Sequence, residues 1–260
     1  MTEILDIHTF SLFLLTFVRV ASFFLAFPFI STTLIPLNIR ILLILAFSFY
    51  LSQIIEPSQM IDITKIDLLS FFLLVIRELL LGISFSLLTI IYSSIFIHSA
   101  ELISYSMGLT IVNIFDSTFG SISVLSRFFV YIFYVVFFFT DAYKIFIAAF
   151  AESFKIIPIG NFHLSDSLLY FFLKESKLIF FLSFKIAFPF IITLFITNLI
   201  LALVNRLIPQ INVFIVGLPL QIFIGLFFLS TGFSILIYSS KYLIEKLSTD
   251  IINLIKILGH

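Results

Sequence analysis

Three charged residues set inside otherwise apolar stretches are the first candidates for chemistry: Arg19, Arg77 and Glu78. A charge at the centre of a bilayer costs roughly 2.5–3.5 kcal/mol on insertion scales, so each needs a partner or a wet surface. Arg77 and Glu78 are sequence neighbours that project about 100° apart on a helix and cannot satisfy one another well. Two readings stay open for them: they mark the interface end of a span, or they belong to a buried pair between helices or subunits. Arg19 has uncharged stretches on both sides and is expected to be paired or to line something wet. Such a trio could bind a solute or a proton, which is the chemistry of a secondary transporter. Lys185 is different, because it can snorkel from near one end of its run.

Catalytic patterns are missing. The chain holds no HExxH, no nucleophile elbow and no P-loop. His8, His98, His163 and His260 are scattered, and with Cys at 0 no thiolate site exists. Neither a catalytic residue, a metal nor a cofactor is expected, and the chain does not read as an enzyme. Fourteen basic residues balance fourteen acidic ones, 14 against 14, which leaves no field to attract nucleic acid.

The elements that must position these residues follow from composition. Of 260 residues, 62% are hydrophobic and 11% charged, with Phe at 38; soluble domains carry about 25% charge. An interior of this size cannot hide so much apolar surface, so the surplus faces lipid or other subunits. The Phe excess also fits the codon use of an AT-rich genome. Acidic Glu3 and Asp6 stand where a signal peptide needs basic residues, and the first apolar segment is expected to be retained. Apolar runs cover 10–30, 41–55, 68–97, 128–139, 178–204 and 211–240, the last broken at Gly217 and Pro219. A span needs ~20 apolar residues; the run 10–30 qualifies, but 41–55 and 128–139 are too short and the other three too long to tile as tidy spans. The expected fold is an all-α integral membrane protein of long helical hairpins, some broken or re-entrant. Residues 56–67 read as a loop, 98–127 as an unusual stretch and 141–177 as the most polar region. Along 241–260, Leu243, Leu247, Ile251, Leu254 and Leu258 recur at helical spacing, giving an amphipathic helix that packs on its own chain or meets a partner or membrane surface.

Two segments stand out for backbone. Glu101, Ser106, Met107, Gly108, Asn113, Phe115, Asp116, Phe119 and Gly120 interleave polar, apolar and flexible residues within a stretch otherwise apolar enough to span. Irregular backbone at membrane depth is tolerated only when buried in protein or lining a cavity, so a gate, a plug, a substrate site or a plain inter-helix turn would fit. The second segment places Asn205, Arg206, Pro209, Gln210, Asn212, Phe214, Gly217 and Pro219 between two apolar runs. Its amides are of the kind that hydrogen-bond neighbouring helices.

That second segment, residues 205–220, resembles the signature of the FliR family, the flagellar biosynthetic proteins of the type III export gate; virulence secretion systems have a counterpart with the same pattern. Other stretches agree in order: Ala26-Phe27-Pro28, Ile35-Pro36 with Arg40, Arg77-Glu78 through Gly82, Glu101 to Gly108, Phe115-Asp116, and Ile157-Pro158-Ile159-Gly160. The chain departs from the pattern at Ser104, Ser106 and Ser117. The resemblance implies a non-enzymatic channel component of the bacterial inner membrane, in the flagellar basal body, assembled with FliP- and FliQ-like subunits beside FlhB- and FlhA-like proteins. It implies a FliP-like part over 1–120 ending in a plug-type loop, a FliQ-like part within 121–240, and the tail 241–260. The plug maps to residues 106–120, with Met107, Phe115 and Phe119 as apolar gaskets and Gly108 and Gly120 letting it move while unfolded flagellar subunits pass.

Overall fold

The computed structural model describes residues 7–30, 35–54, 67–109, 123–208 and 213–259. Among them are eight helices and no strand: α1 (Ile7–Ala26), α2 (Leu37–Ile54), α3 (Leu68–Met107), α4 (Val124–Phe139), α5 (Ala142–Ile156), α6 (Asp166–Leu207), α7 (Val213–Thr231) and α8 (Phe233–Leu258). The fold is all-α, and α3 and α6 are each long and apolar enough to cross a membrane; the two bent pairs α4–α5 and α7–α8 could raise the spans to four. This is an integral membrane protein.

The run lengths explain themselves once the helices are placed. At 40 and 42 residues, α3 and α6 extend about 60 Å each, twice the ~30 Å hydrocarbon core. Residues 98–107 are not a separate irregular stretch; α3 runs through His98 and Glu101 to Met107. The polar region 141–177 contains all of α5, because Phe146, Ala149, Phe150, Ser153 and Phe154 form one buried face. Gly217 and Pro219 do not break the last apolar run either. Both lie within α7, and the break falls at Gly232 instead, with a bend of 58°. Pro219, the seventh residue of α7, forgoes the hydrogen bond its N–H would have made to the Ile215 carbonyl, yet the helix runs on through it.

Two compact units emerge, residues 1–91, 141–174 and 245–260 in one, and 92–140 and 175–244 in the other. In the first, Phe23 of α1 stacks on Phe150 of α5 at 4.1 Å and 13°, and Phe85 of α3 meets Phe150 edge-on at 5.5 Å. Phe146 completes this aromatic core at 5.7 Å from Phe23. In the second, Phe96 of α3 stacks on Phe133 of α4 at 5.2 Å. Part of the phenylalanine load is therefore core, and part is surface: α6 alone exposes Phe180, Phe181, Phe184, Phe188 and Phe195. On α8 the apolar stripe Leu243, Leu247, Ile251 and Leu254 is buried within the chain, while Lys246 pairs with Asp250 at 2.8 Å. The helix begins at Phe233, upstream of the change of character at 241.

Candidate functional site

The first unit is organised around Arg19, which is fully buried on α1. Its Nε donates to the carboxylate of Glu78 on α3, also fully buried. Both terminal nitrogens donate to the Ile157 carbonyl at 3.3 Å, and the guanidinium lies 4.3 Å from the centre of the Phe154 ring. The other Glu78 oxygen accepts the backbone N–H of Gly160 at 2.7 Å. Arg77, half-buried beside it, donates to the Gly160 carbonyl at 2.9 Å. Adjacent residues on α3 thus grip both polar groups of one residue, because that residue stands between their diverging directions.

The turn being gripped is the segment after α5, where Gly160 adopts φ 83, a conformation that costs residues with a Cβ ~1–2 kcal/mol. Ile159 fills the space beneath it, packed with Leu12 and Leu15 of α1 and with Phe71, Leu74 and Val75 of α3. Close approach of α1 and α3 depends on Gly82. A Cβ there would collide with the Ser22 hydroxyl and the Arg19 carbonyl and lie 3.0 Å from the Phe23 nitrogen. The Ser86 hydroxyl adds a hydrogen bond to the Phe23 carbonyl at 2.6 Å. Arg19, Arg77, Glu78, Gly82 and the 157–160 turn, separate in sequence, are one clamp. Two buried charges in this arrangement satisfy each other and the backbone around them. The transporter reading of Arg19, Arg77 and Glu78 gains no support.

In the second unit the end of α3 is the notable feature. Gly108 takes φ 75, its N–H bonds to the Tyr105 carbonyl at 3.1 Å, and the Leu109 N–H bonds to Ser104 at 3.0 Å. This is a Schellman cap, which closes the helix on a left-handed glycine. Ser106 and Met107 therefore belong to the last turn of α3, and Met107 is fully buried. On the far side of 110–122, Ser123 caps α4 through the Ser126 N–H at 3.1 Å, and Ser126 reaches Glu101 at 3.5 Å. Asn113, Phe115, Asp116, Phe119 and Gly120 lie outside the described residues.

Of the signature residues, Asn205 and Arg206 are exposed at the end of α6, Gly217 is buried in α7 and Pro219 is exposed on it. Pro209, Gln210 and Asn212 fall outside the described residues, as does the Phe214 side chain. Two contacts had no sequence signal beyond polarity: Gln221 of α7 donates to Asn198 of α6, and Tyr92 of α3 donates to Glu175 of α6 at 3.4 Å, both residues buried. Their partners are distant in sequence, so spacing could not pair them. Among the described residues no His, Cys, Asp and Glu cluster could hold a metal.

Fold and site together define a multi-helix membrane protein whose internal charges fix helices and a turn. A family profile described as "Bacterial export proteins, family 1" matches residues 10–247. The chain belongs to this family. It is 38% identical over 220 residues to the flagellar biosynthetic protein FliR of Aquifex aeolicus, covering 83% of each chain. It is 27% identical to that of Bacillus subtilis over 268 residues, covering 100% of this chain and 99% of the relative. The FliR of Escherichia coli is 26% identical over 212 residues, 80% of this chain and 78% of its own.

Proposed function

We propose that this chain is a structural channel component of the flagellar type III protein export gate, passing unfolded flagellar subunits across the bacterial inner membrane. The match to the export family across residues 10–247 carries the reading, and the FliR relatives point to its flagellar form. The chain works as a structural part rather than as an enzyme. Its partners are FliP- and FliQ-like subunits in a hetero-oligomer, with FlhB- and FlhA-like proteins adjoining. Residues 1–120 form the FliP-like part, and 121–240 include the FliQ-like part. One physical argument supports assembly: α6 is about 60 Å long and exposes large apolar residues along almost all of it, from Leu169 to Leu207. A ~30 Å hydrocarbon layer cannot cover all of that, so protein must cover the remainder.

In this reading the central loop closes the pore, with Phe115 and Phe119 as apolar gaskets and Asn113, Asp116 and Gly120 shaping the backbone between them. Affinity purification of the full chain from membranes should bring down FliP- and FliQ-like chains in fixed stoichiometry. A well-behaved monomer that never associates with them overturns the proposal. Deleting residues 113–119 should make the assembled, closed channel leak ions or small molecules while leaving assembly intact, and a deletion as tight as the parent removes the plug assignment.

A further inference from the structure

The cap that ends α3 is held against α7 by a knob and a hole. Gly225 is buried, and a Cβ placed on it would lie 2.5 Å from Met107 Cε and 2.7 Å from both Cγ and Sδ. Three successive atoms of Met107 therefore occupy the volume a side chain at 225 would take. Rotating the terminal methyl alone cannot vacate it. One and two turns earlier on the same face of α7, Gln221 Oε1 and Leu218 Cδ1 stand 3.7 and 3.1 Å from where a Cβ on Gly108 would be. Gln221 in turn donates to Asn198 of α6. Three helices meet at the point where α3 stops.

We infer that the Leu218–Gln221–Gly225 face of α7 is the seat that fixes the root of the central loop, and that Met107 is its anchor rather than a gasket. The inference rests on the proposed export role only for its consequence: the root stays seated when the gate opens. Parts that move draw on weakly packed, exposed backbone. Met107 is the opposite, at 0% exposure and next to a cap whose two hydrogen bonds are complete. Residues 218, 221 and 225 act on the loop by positioning it.

The chain has Cys at 0, so a Met107→Cys, Gly225→Cys pair introduces its only thiols. Met107 Cγ is 2.7 Å from the 225 Cβ position; the Met107 Cβ, one bond further, is no more than about 4 Å away, within disulfide reach. Oxidising membranes that hold the full complex should cross-link the chain internally, and substrate export should remain within about twofold of the reduced sample. Failure to cross-link overturns the seat. Export falling tenfold or more on oxidation and returning with reductant overturns the static root. In a second arm, Gly225→Leu should raise ion leak through the closed complex, and Met107→Ala added to it should restore tightness. Leak unaffected by Gly225→Leu, or left unrescued, overturns the positioning role. Loss of the FliP- and FliQ-like chains from the parent complex would refute the export reading instead, while cross-linking still reports on the seat.

Discussion

Replacing Glu78 by Ala isolates the energetic role of the clamp. Both members of the Arg19–Glu78 pair have side chains at 0% exposure, so removing one leaves a buried guanidinium with only the 3.3 Å contacts to Ile157 and the Phe154 ring. Breaking a buried pair this way costs ~3–5 kcal/mol. The orphaned Gly160 N–H, a bond of 2.7 Å in the parent, accounts for ~1–3 kcal/mol of that penalty. Taking about 4 kcal/mol, the folded-to-unfolded ratio falls about a thousandfold. Arg19→Met should cost about as much, because it strands the carboxylate. The double variant Arg19→Met, Glu78→Met removes both charges and leaves only the Ile157 carbonyl and Gly160 N–H underpaired. It should cost about 2 kcal/mol rather than the ~8 kcal/mol of two independent losses. Far-UV circular dichroism during SDS titration of the purified chain in mixed micelles measures all three. A Glu78→Ala loss under about 1 kcal/mol, or a double variant costing the full sum, refutes the reasoning that these charges hold the unit together.

The other consequences of the clamp are simpler. Gly82→Ala should destabilise the chain by ~1–3 kcal/mol, the range for overpacking, because its Cβ meets the α1 backbone at Arg19 and Phe23; an unchanged SDS midpoint would contradict the close approach. At Gly160, with φ 83, Asn should be tolerated better than Ala by several tenths of a kcal/mol, since Asn enters the left-handed region more readily. Equal midpoints for the two variants would mean that the turn relaxes its backbone.

Much of this molecule was legible before any fold. Composition forced membrane helices, and the rarity of charge made Arg19, Arg77 and Glu78 conspicuous. The ordered motifs named the family. Spacing also gave the amphipathic stripe of α8, although its start at Phe233 was hidden by an uninterrupted apolar sequence. What misled was local punctuation. Gly217 and Pro219 read as a break, yet α7 runs through both, the hydrogen bond lost at Pro219 notwithstanding. Gly232 reads as nothing in particular, yet a Cβ there would lie 2.9 Å from the Phe228 carbonyl and 3.0 Å from the Phe190 ring. Crowding by a distant helix is invisible to any window on the sequence.

The sequence by itself determined the solvent, the helical class and the family, because these depend on residue types and on order along one chain. Tertiary structure decided the partners. That Glu78 meets Arg19 and not its neighbour Arg77, that both residues of the 77–78 step converge on Gly160, and that Met107 fills the hole at Gly225 are facts about residues 59, 82, 83 and 118 positions apart. Short-range forces between side chains act on distance in space, and only the folded chain sets that distance.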